Sequence, residues 1–537
     1  MKPRLESPSP VVDLQPGGSF ELRVHPVTKR IGEADFAMLS YNGSIPGPTL
    51  RVQQGSEVEV VVHNDTDMET TVHWHGLRLE NRFDGVPHDT QSPIPPGGRY
   101  THRLTFPDAG LFWYHPHMRE DFAQEMGLYG NILVEPADPS YWPPADREVL
   151  LTLDDILIED GEIAPFDPHE SNFTAMGRFG NVLLIGGETL QALRVGLGEV
   201  VRFGFTNTAN TRVFRVAVPG SRMKLVGGDG GRYEREEWVD DVVVAPSERA
   251  IVDVHFTDPD MFSVEHVTPG KTYLLANVSV TDALVGGGAA PRFQTLRANA
   301  DMRAERDRVA PYLDAPPDKT LALVAEMDVA EPGAAGSLYT CPMHPEVVAE
   351  APGKCPQCGM KLMPSDKVAA AVAEHQPAAG GHGHHDHSEA MADGIEWEDL
   401  MPEVNRETTP ANMRWKIVDR GTGKANADID WTFAAGDQVK IRLVNEMESD
   451  HPMHHPFHVH GERFLILSRN GTPEENLVWK DTVLIRTAEV VDILMDASNP
   501  GLWMAHCHIA EHMEAGMMFS FRVRGVTEAN DRPAPAL

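Results

Sequence analysis

The sequence predicts an all-β protein built from three related domains, and three observations carry that prediction. At 537 residues the chain is too long for a single core and suggests roughly three or four domains. Its 46 glycines and 42 prolines separate short, Val-rich alternating runs, whereas long amphipathic helical patterns are scarce. One strand pattern also recurs three times, as "GSEVEVVVHN" (55–64), "GEVVRFGFTN" (198–207) and "GDQVKIRLVN" (436–445). Each copy opens on Gly, has Val three residues on and closes on Asn nine residues on, so Gly55, Gly198 and Gly436 are expected to mark the same turn.

Taken in order, the first domain (1–145) carries "HWHG" (73–76) and "GLFWYHPH" (110–117). The second (146–315) keeps the repeated strand but has no equivalent histidine pairs, and is expected to be structural. The third (316–537) echoes the first with "HVHG" (458–461) and "GLWMAHCH" (501–508), which places shared metals where the first and third domains meet. It is interrupted by an insertion at 338–392 that holds three of the four cysteines and the run "AAGGHGHHDH". The insertion shows no comparable strand pattern and is expected to be mobile.

The balance of 46 basic against 80 acidic residues gives a formal charge of -34, which disfavours nucleic acid and anionic membranes as partners and favours attraction of cations. Four cysteines, one in the C-terminal motif and three clustered, indicate metal ligands rather than a disulfide framework. No apolar run approaches the ~20 residues needed to span a bilayer, and "MKPRLESPSP" lacks the apolar core of a signal peptide. The protein is therefore expected to be cytoplasmic or to have lost an export signal. A single chain carries both halves of the expected metal interface, so a monomer can be complete.

With 25 histidines, chance alone supplies about one His-x-His pair. Outside the His-rich run the chain has four: His73/His75, His115/His117, His458/His460 and His506/His508. In a strand, positions i and i+2 share a face, so each pair can offer two imidazoles to one cavity. Cys507 sits between His506 and His508, with His512 four residues past His508 and Met517 five further on. Thiolate, imidazole and a weak axial thioether are the ligands of a blue-copper centre.

The motifs "HWHG", "HPH", "HPFHVHG" and "HCHIAEHMEAGM" occur in the order seen in multicopper oxidases, and the chain resembles the bacterial three-domain, laccase-like members of that family outside the insertion. The resemblance implies three cupredoxin-like Greek-key β-barrel or sandwich domains. It also implies four copper ions: one type 1, one type 2 and two type 3. By motif position, His455, Cys507 and His512 correspond to the type 1 ligands with Met517 axial, and His73 and His458 to the type 2 pair. His75, His115 and His508 would hold one type 3 copper, and His117, His460 and His506 the other. Export to the periplasm or secretion is likewise an implication of the family.

Oxygen reduction consumes protons, and Glu511 and Asp84 match acidic residues that relay protons in relatives. Within the insertion, Cys341, His344, Cys355 and Cys358 have the two-pair spacing of a tetrahedral site. The segment also resembles heavy-metal-binding modules of copper-efflux proteins, and Met343 and Met360 would favour cuprous copper, so both zinc and copper remain open. The expected activity is oxidation of phenols or aromatic amines with O2 as acceptor. Oxidation of Cu(I) to Cu(II) is the alternative within the same chemistry, and a copper store without turnover is the alternative outside it.

Overall fold

The structure is a computed structural model that describes residues 3–284, 288–328, 338–374 and 393–525. It is three two-sheet sandwiches with one plan. In each, a long strand pairs in parallel with the repeated strand: Ser19–Ile31 with Glu57–Asn64, Arg147–Ile156 with Val200–Asn207, and Lys319–Met327 with Asp437–Asn445. Each repeated strand then pairs antiparallel with a third, Arg99–Thr105, Arg249–His255 or Val490–Ala497.

The shared pattern has a physical cause at both ends. Gly55, Gly198 and Gly436 have φ of +82°, +81° and +105°, the left-handed region that disfavours a side chain. The closing asparagines are buried, and each side-chain amide ties two carbonyls: Asn64 to those of Met68 and Ile94, Asn207 to those of Arg212 and Val244, Asn445 to those of Met453 and Arg486. A buried loop carbonyl needs such a partner, which accounts for Asn rather than a β-former at that position.

The facing sheets are also equivalent. Gly110–His115, Met261–Val267 and Gly501–Cys507 occupy one position, and His73–His75, Phe214–Ala217 and His455–Val459 occupy the next. The second sandwich thus keeps the strand that bears histidines in its neighbours but fills it with "FRVA". The N-terminal strand Arg4–Glu6 pairs with Arg147–Ile156, so the chain starts in the second sandwich's sheet before building the first. Apolar contact between the first two is made by Leu111, Leu133, Leu150, Val226 and Ile251, and the helix Ala300–Leu313 packs Met302 and Val309 against the third.

The insertion differs from expectation. Its part 338–374 is folded, with a small sheet of Tyr339–Thr340 between Val348–Ala349 and Met363–Pro364, followed by the helix Ser365–Glu374. Its Cys341, Met343, Cys355, Cys358, Met360 and Leu362 are buried in the same core as Trp415, Phe457 and Cys507. Two-residue strands leave no alternating pattern to read, and order here comes from burial against the third sandwich. The tract His382, His384, His385 and His387 lies outside the described residues.

Candidate metal centres

The strand pairing brings the first and third sandwiches' histidines together. His73 is the cross-strand partner of His115, and His458 that of His506. All eight paired histidines are at most 5% exposed. Between the two sandwiches, His73 stacks near His460 with ring centroids 4.0 Å apart, and His75 on His458 at 3.8 Å. His117, His460 and His506 form one group with centroids 5.1–5.4 Å apart, while His75, His115 and His508 form another at 5.1–5.7 Å. Donor nitrogens within His73/His458/His460, His73/His75/His115 and His117/His460/His506 lie within 4.8 Å of one another.

The ring nitrogens divide into two kinds. Outer nitrogens of six rings are tied: His73 Nδ1 donates to Asp84 O (2.8 Å), His115 Nδ1 to Pro116 O (2.8 Å), His458 Nδ1 to Asp481 O (2.8 Å) and His506 Nδ1 to Cys507 O (2.9 Å). His75 Nε2 donates to Asp481 Oδ1 (3.0 Å), and His460 Nδ1 to Asp84 Oδ2 (2.9 Å). The other nitrogens of His73, His75, His115, His117, His458 and His508 are buried with no partner. Such orphaned acceptors are costly unless a cation meets them. Burial also holds His75, His115, His117, His458, His460 and His508 well below the usual imidazole pKa and His506 down to about 4, keeping them in the neutral form a metal requires. For His73 burial lowers the pKa but Asp84 outweighs it, so the net shift is upward.

Two glycines in the motifs are explained by this packing. A Cβ on Gly76 (φ +81°) would stand within 2.5 Å of Asp481 Oδ2, and one on Gly461 (φ +64°) would enter the Trp503 ring. Asp481 in turn pairs with the fully buried Arg249 of the second sandwich, Nη1 to Oδ1 at 2.8 Å. The sandwich without histidine pairs therefore contributes to the cluster through its arginine.

A second group lies on the other side of the strand Gly501–Cys507. Cys507 Sγ is 3.5 Å from His455 Nδ1 and 3.8 Å from His512 Nδ1, with all three residues at most 1% exposed. Burial pushes the Cys507 thiol upward, so its deprotonation calls for a cation beside it. Met517 is fully buried and its backbone joins the group at both ends, accepting from Cys507 N (3.1 Å) and donating to His512 O (3.0 Å). Trp415 stacks on His512 at 4.1 Å and meets His455 edge-on at 4.8 Å. Beyond it, His451 Nε2 donates to Met176 Sδ at 3.2 Å, and His454 Nδ1 to Glu396 Oε2 at 2.6 Å.

Of the two carboxylates expected from sequence, Asp84 lies inside the histidine cluster, 3.3 Å from His73 Nδ1 as well as bonded to His460. Glu511 touches no cluster histidine; it accepts from Thr211 Oγ1 (3.2 Å) and Asn210 Nδ2 (3.4 Å) of the second sandwich, and burial pushes it up to about 8. Sequence reasoning missed Glu120, whose Oε1 is 3.1 Å from His115 Nδ1 and 3.7 Å from His508 Nδ1, and which burial raises to about 7. Its place three residues after His117 was a usable signal of the same kind as Glu511. Asp481, Arg249 and Trp415 had none, being brought in by tertiary contact.

In the inserted module, Cys341 Sγ is 3.6 Å from Cys358 Sγ and 3.7 Å from His344 Nδ1, and Cys355 Sγ is 3.6 Å from His344 Nδ1. A tetrahedron with metal–sulfur bonds of ~2.3 Å has edges of about 3.8 Å, so the four residues fit one ion. Met343 and Met360 are buried in the core around it.

The architecture is cupredoxin-like, and the buried His and Cys groups are of the kind that could hold metal ions. Family models described as multicopper oxidase match residues 25–139 and 400–526, and one described as heavy metal binding domain matches 338–365. The chain is 25% identical to multicopper oxidase MmcO of Mycobacterium tuberculosis, over 92% of this chain and 85% of that protein. It is also 25% identical to a copper resistance protein A homolog of Pseudomonas syringae pv. tomato, over 94% and 92%. Among solved structures, the fold matches a multicopper oxidase from Campylobacter jejuni described as a metallo-oxidase (TM-score 0.65, 22% identity, 98% of this chain and 96% of that one). The first and third sandwiches thus match the multicopper oxidase family, whose members are oxidoreductases that use oxygen, and the insertion matches a heavy metal binding domain. Copper is accordingly its cofactor.

Proposed function

We propose that the chain couples oxidation of a one-electron donor to reduction of O2 to water, with His455, Cys507, His512 and Met517 as the residues that would hold a type 1 copper and the paired histidines as those that would hold a three-copper cluster. In this reading His73 and His458 hold the type 2 copper. His75, His115 and His508 hold one type 3 copper and His117, His460 and His506 the other, four coppers in all. The observation that carries it is the division of the ring nitrogens: outer ones tied to backbone or carboxylate, and inner ones either buried and unpartnered or, for His460 and His506, facing another imidazole nitrogen at 3.0 Å. When bound, the coppers supply storage for the four electrons that O2 consumes.

The chain's own contribution is positioning. Cys507 is covalently flanked by His506 and His508, so one strand joins the two ligand sets through backbone bonds. Pairing of Phe457 with Cys507 and His458 with His506 fixes their spacing. Trp113, stacked on His115 at 4.2 Å, helps keep water from the cluster. Glu511, raised by burial, holds a proton at neutral pH and is read as the donor for oxygen reduction, with Asp84 as the carboxylate between His73 and His460. The test is Cys507→Ser: intense blue colour and nearly all O2 uptake should disappear, and unchanged uptake would overturn the reading.

Phenols and aromatic amines are the donors expected for the family, but one observation favours Cu(I). Both type 1 imidazoles are buried beneath Trp415 and the Met176–His451 pair, which suits a small soft donor better than an aromatic ring. The names of the Pseudomonas and Campylobacter proteins point the same way. Oxygen uptake compared between Cu(I) and a methoxyphenol decides between them. The same reading takes the domains as 1–145, 146–315 and 316–537, the chain as a monomer in the periplasm or secreted, and the module as holding one additional Cu or Zn. Among the described residues no helix is long and apolar enough to cross a membrane.

A further inference from the structure

The inserted module and the loop that leads into His455 are joined along one seam. The module's second knuckle, "KCPQCGMK" (354–361), supplies two of the four metal ligands between two lysines. Lys354 Nζ donates to Ser449 O at 2.9 Å. The Lys361 amide donates to Asp450 O at 2.8 Å, and its Nζ to Asp450 Oδ2 at 3.2 Å and Met327 O at 2.8 Å. Lys354 and Lys361 are themselves bridge partners, so the grip closes around the knuckle. Gly359, at φ +79°, lets the turn lie against the loop, since a Cβ there would be 3.3 Å from both Met447 and Pro452.

The gripped segment is irregular; its C-terminal end is tied by Asn445 Nδ2 to Met453 O (2.6 Å) and by His454 N to Glu396 Oε2 (3.0 Å), and Ser449 and Asp450 lie ahead of those ties. Residues 446–454 form no helix or strand and run directly into His455. Their opposite side is held by one strand, where Ala325 N donates to Ser449 Oγ at 2.7 Å and Met327 N to Asp450 Oδ2 at 3.0 Å. The module also lacks an independent core: it has two-residue strands, and its thiols and imidazole face one another at 3.6–3.7 Å. Small modules of this construction take their shape when a metal binds.

We propose that the module is a metal-responsive clamp on the type 1 loop. A thiophilic closed-shell ion, Zn2+ or Cu+, held by Cys341, His344, Cys355 and Cys358 fixes the knuckle, and Lys354 and Lys361 pass that constraint to residues 449–455. The two lysines are positioning residues, acting on the donor site through His455. Occupancy of the module by that ion is thereby coupled to the geometry of the donor site, and the insertion has a role in the chain that carries it. The inference rests on the reading of His455 as a type 1 ligand.

The test uses the full-length, copper-loaded protein and two double variants, Cys355→Ser with Cys358→Ser, and Lys354→Ala with Lys361→Ala. Hydrogen exchange over 446–455 and the type 1 electron paramagnetic resonance signal are the readouts. Both variants should exchange at least about tenfold faster in that segment, with Met518–Arg524 unchanged, and should shift the type 1 hyperfine splitting. Lys354→Arg with Lys361→Arg should restore both. Exchange and signal equal to wild type in the cysteine variant would overturn the clamp. If that variant does not fold, the lysine variant decides by the same criteria. A wild-type protein with no type 1 signal would instead overturn the ligand reading on which the clamp rests, whereas a normal wild-type signal with unchanged exchange in the variants overturns the clamp alone.

Discussion

Glu125 shows how the surroundings of a single residue set a measurable property. It lies near Arg178, Asp155 and Glu511; its Oε1 accepts from Leu157 N at 3.3 Å and Arg178 Nε at 3.4 Å, while its Oε2 has no partner. Burial is the largest cause raising its carboxyl from 4.5 to about 7, with Arg178 opposing. A carboxyl raised in the folded state binds its proton more tightly there than when unfolded, so its stabilising contribution is complete below about 4.5 and is lost as pH rises through about 7. Glu125→Gln should therefore flatten the fall in Tm between pH 5 and 8, measured on copper-free protein so that metal loss does not intervene. Parallel Tm profiles for the two proteins would show that Glu125 does not titrate in this window.

The motif glycine after His75 belongs to the scale of elements, because it sets how closely two sandwiches approach. Gly76 leaves room for Asp481, which accepts from His75 and pairs with Arg249. Gly76→Ala adds both a left-handed alanine and a clash with that carboxylate, so His75 loses its orienting partner. Copper content of the cluster and oxygen uptake are expected to fall 10–100-fold, the range for a lost outer partner of a metal ligand. The type 1 colour should persist, since Cys507, His455 and His512 lie on other strands and helices of the third sandwich. Titrating copper into the variant while following colour and uptake separately checks this. The module is the other lesson at this scale: a segment expected to be mobile is core, because Cys341, Met360 and Leu362 are buried with Trp415. Its removal is accordingly expected to weaken phenol and Cu(I) oxidation together.

Across the whole molecule, the formal charge of -34 surrounds a donor site that the proposed function opens to small cations. Long-range attraction raises the encounter rate of cations and is screened as the Debye length shrinks from ~30 Å at 0.01 M salt to ~3 Å at 1 M. Raising salt over that range should lower kcat/KM for a cationic donor several-fold and leave a neutral methoxyphenol nearly unchanged. Equal salt dependence for the two donors would remove charge from the explanation. The second sandwich also finds its role only here: without histidine pairs of its own, it sends Arg249 to Asp481 and Asn210 and Thr211 to Glu511.

The sequence by itself determined the all-β class, the three-fold repeat and the residues gathered as candidate ligands, because strand alternation and close His-x-His spacing are local properties that need no partner to be read. Gly55, Asn64 and their counterparts were legible for the same reason. The tertiary structure alone decided which imidazole nitrogens are tied and which are orphaned, since that depends on Asp84 and Asp481 meeting histidines 376 and 406 residues away in the chain. It also decided that the insertion packs on the loop before His455. Two-residue strands and lysine-to-carbonyl contacts carry no periodic signal, and only burial of the module's core against the third sandwich gives them form.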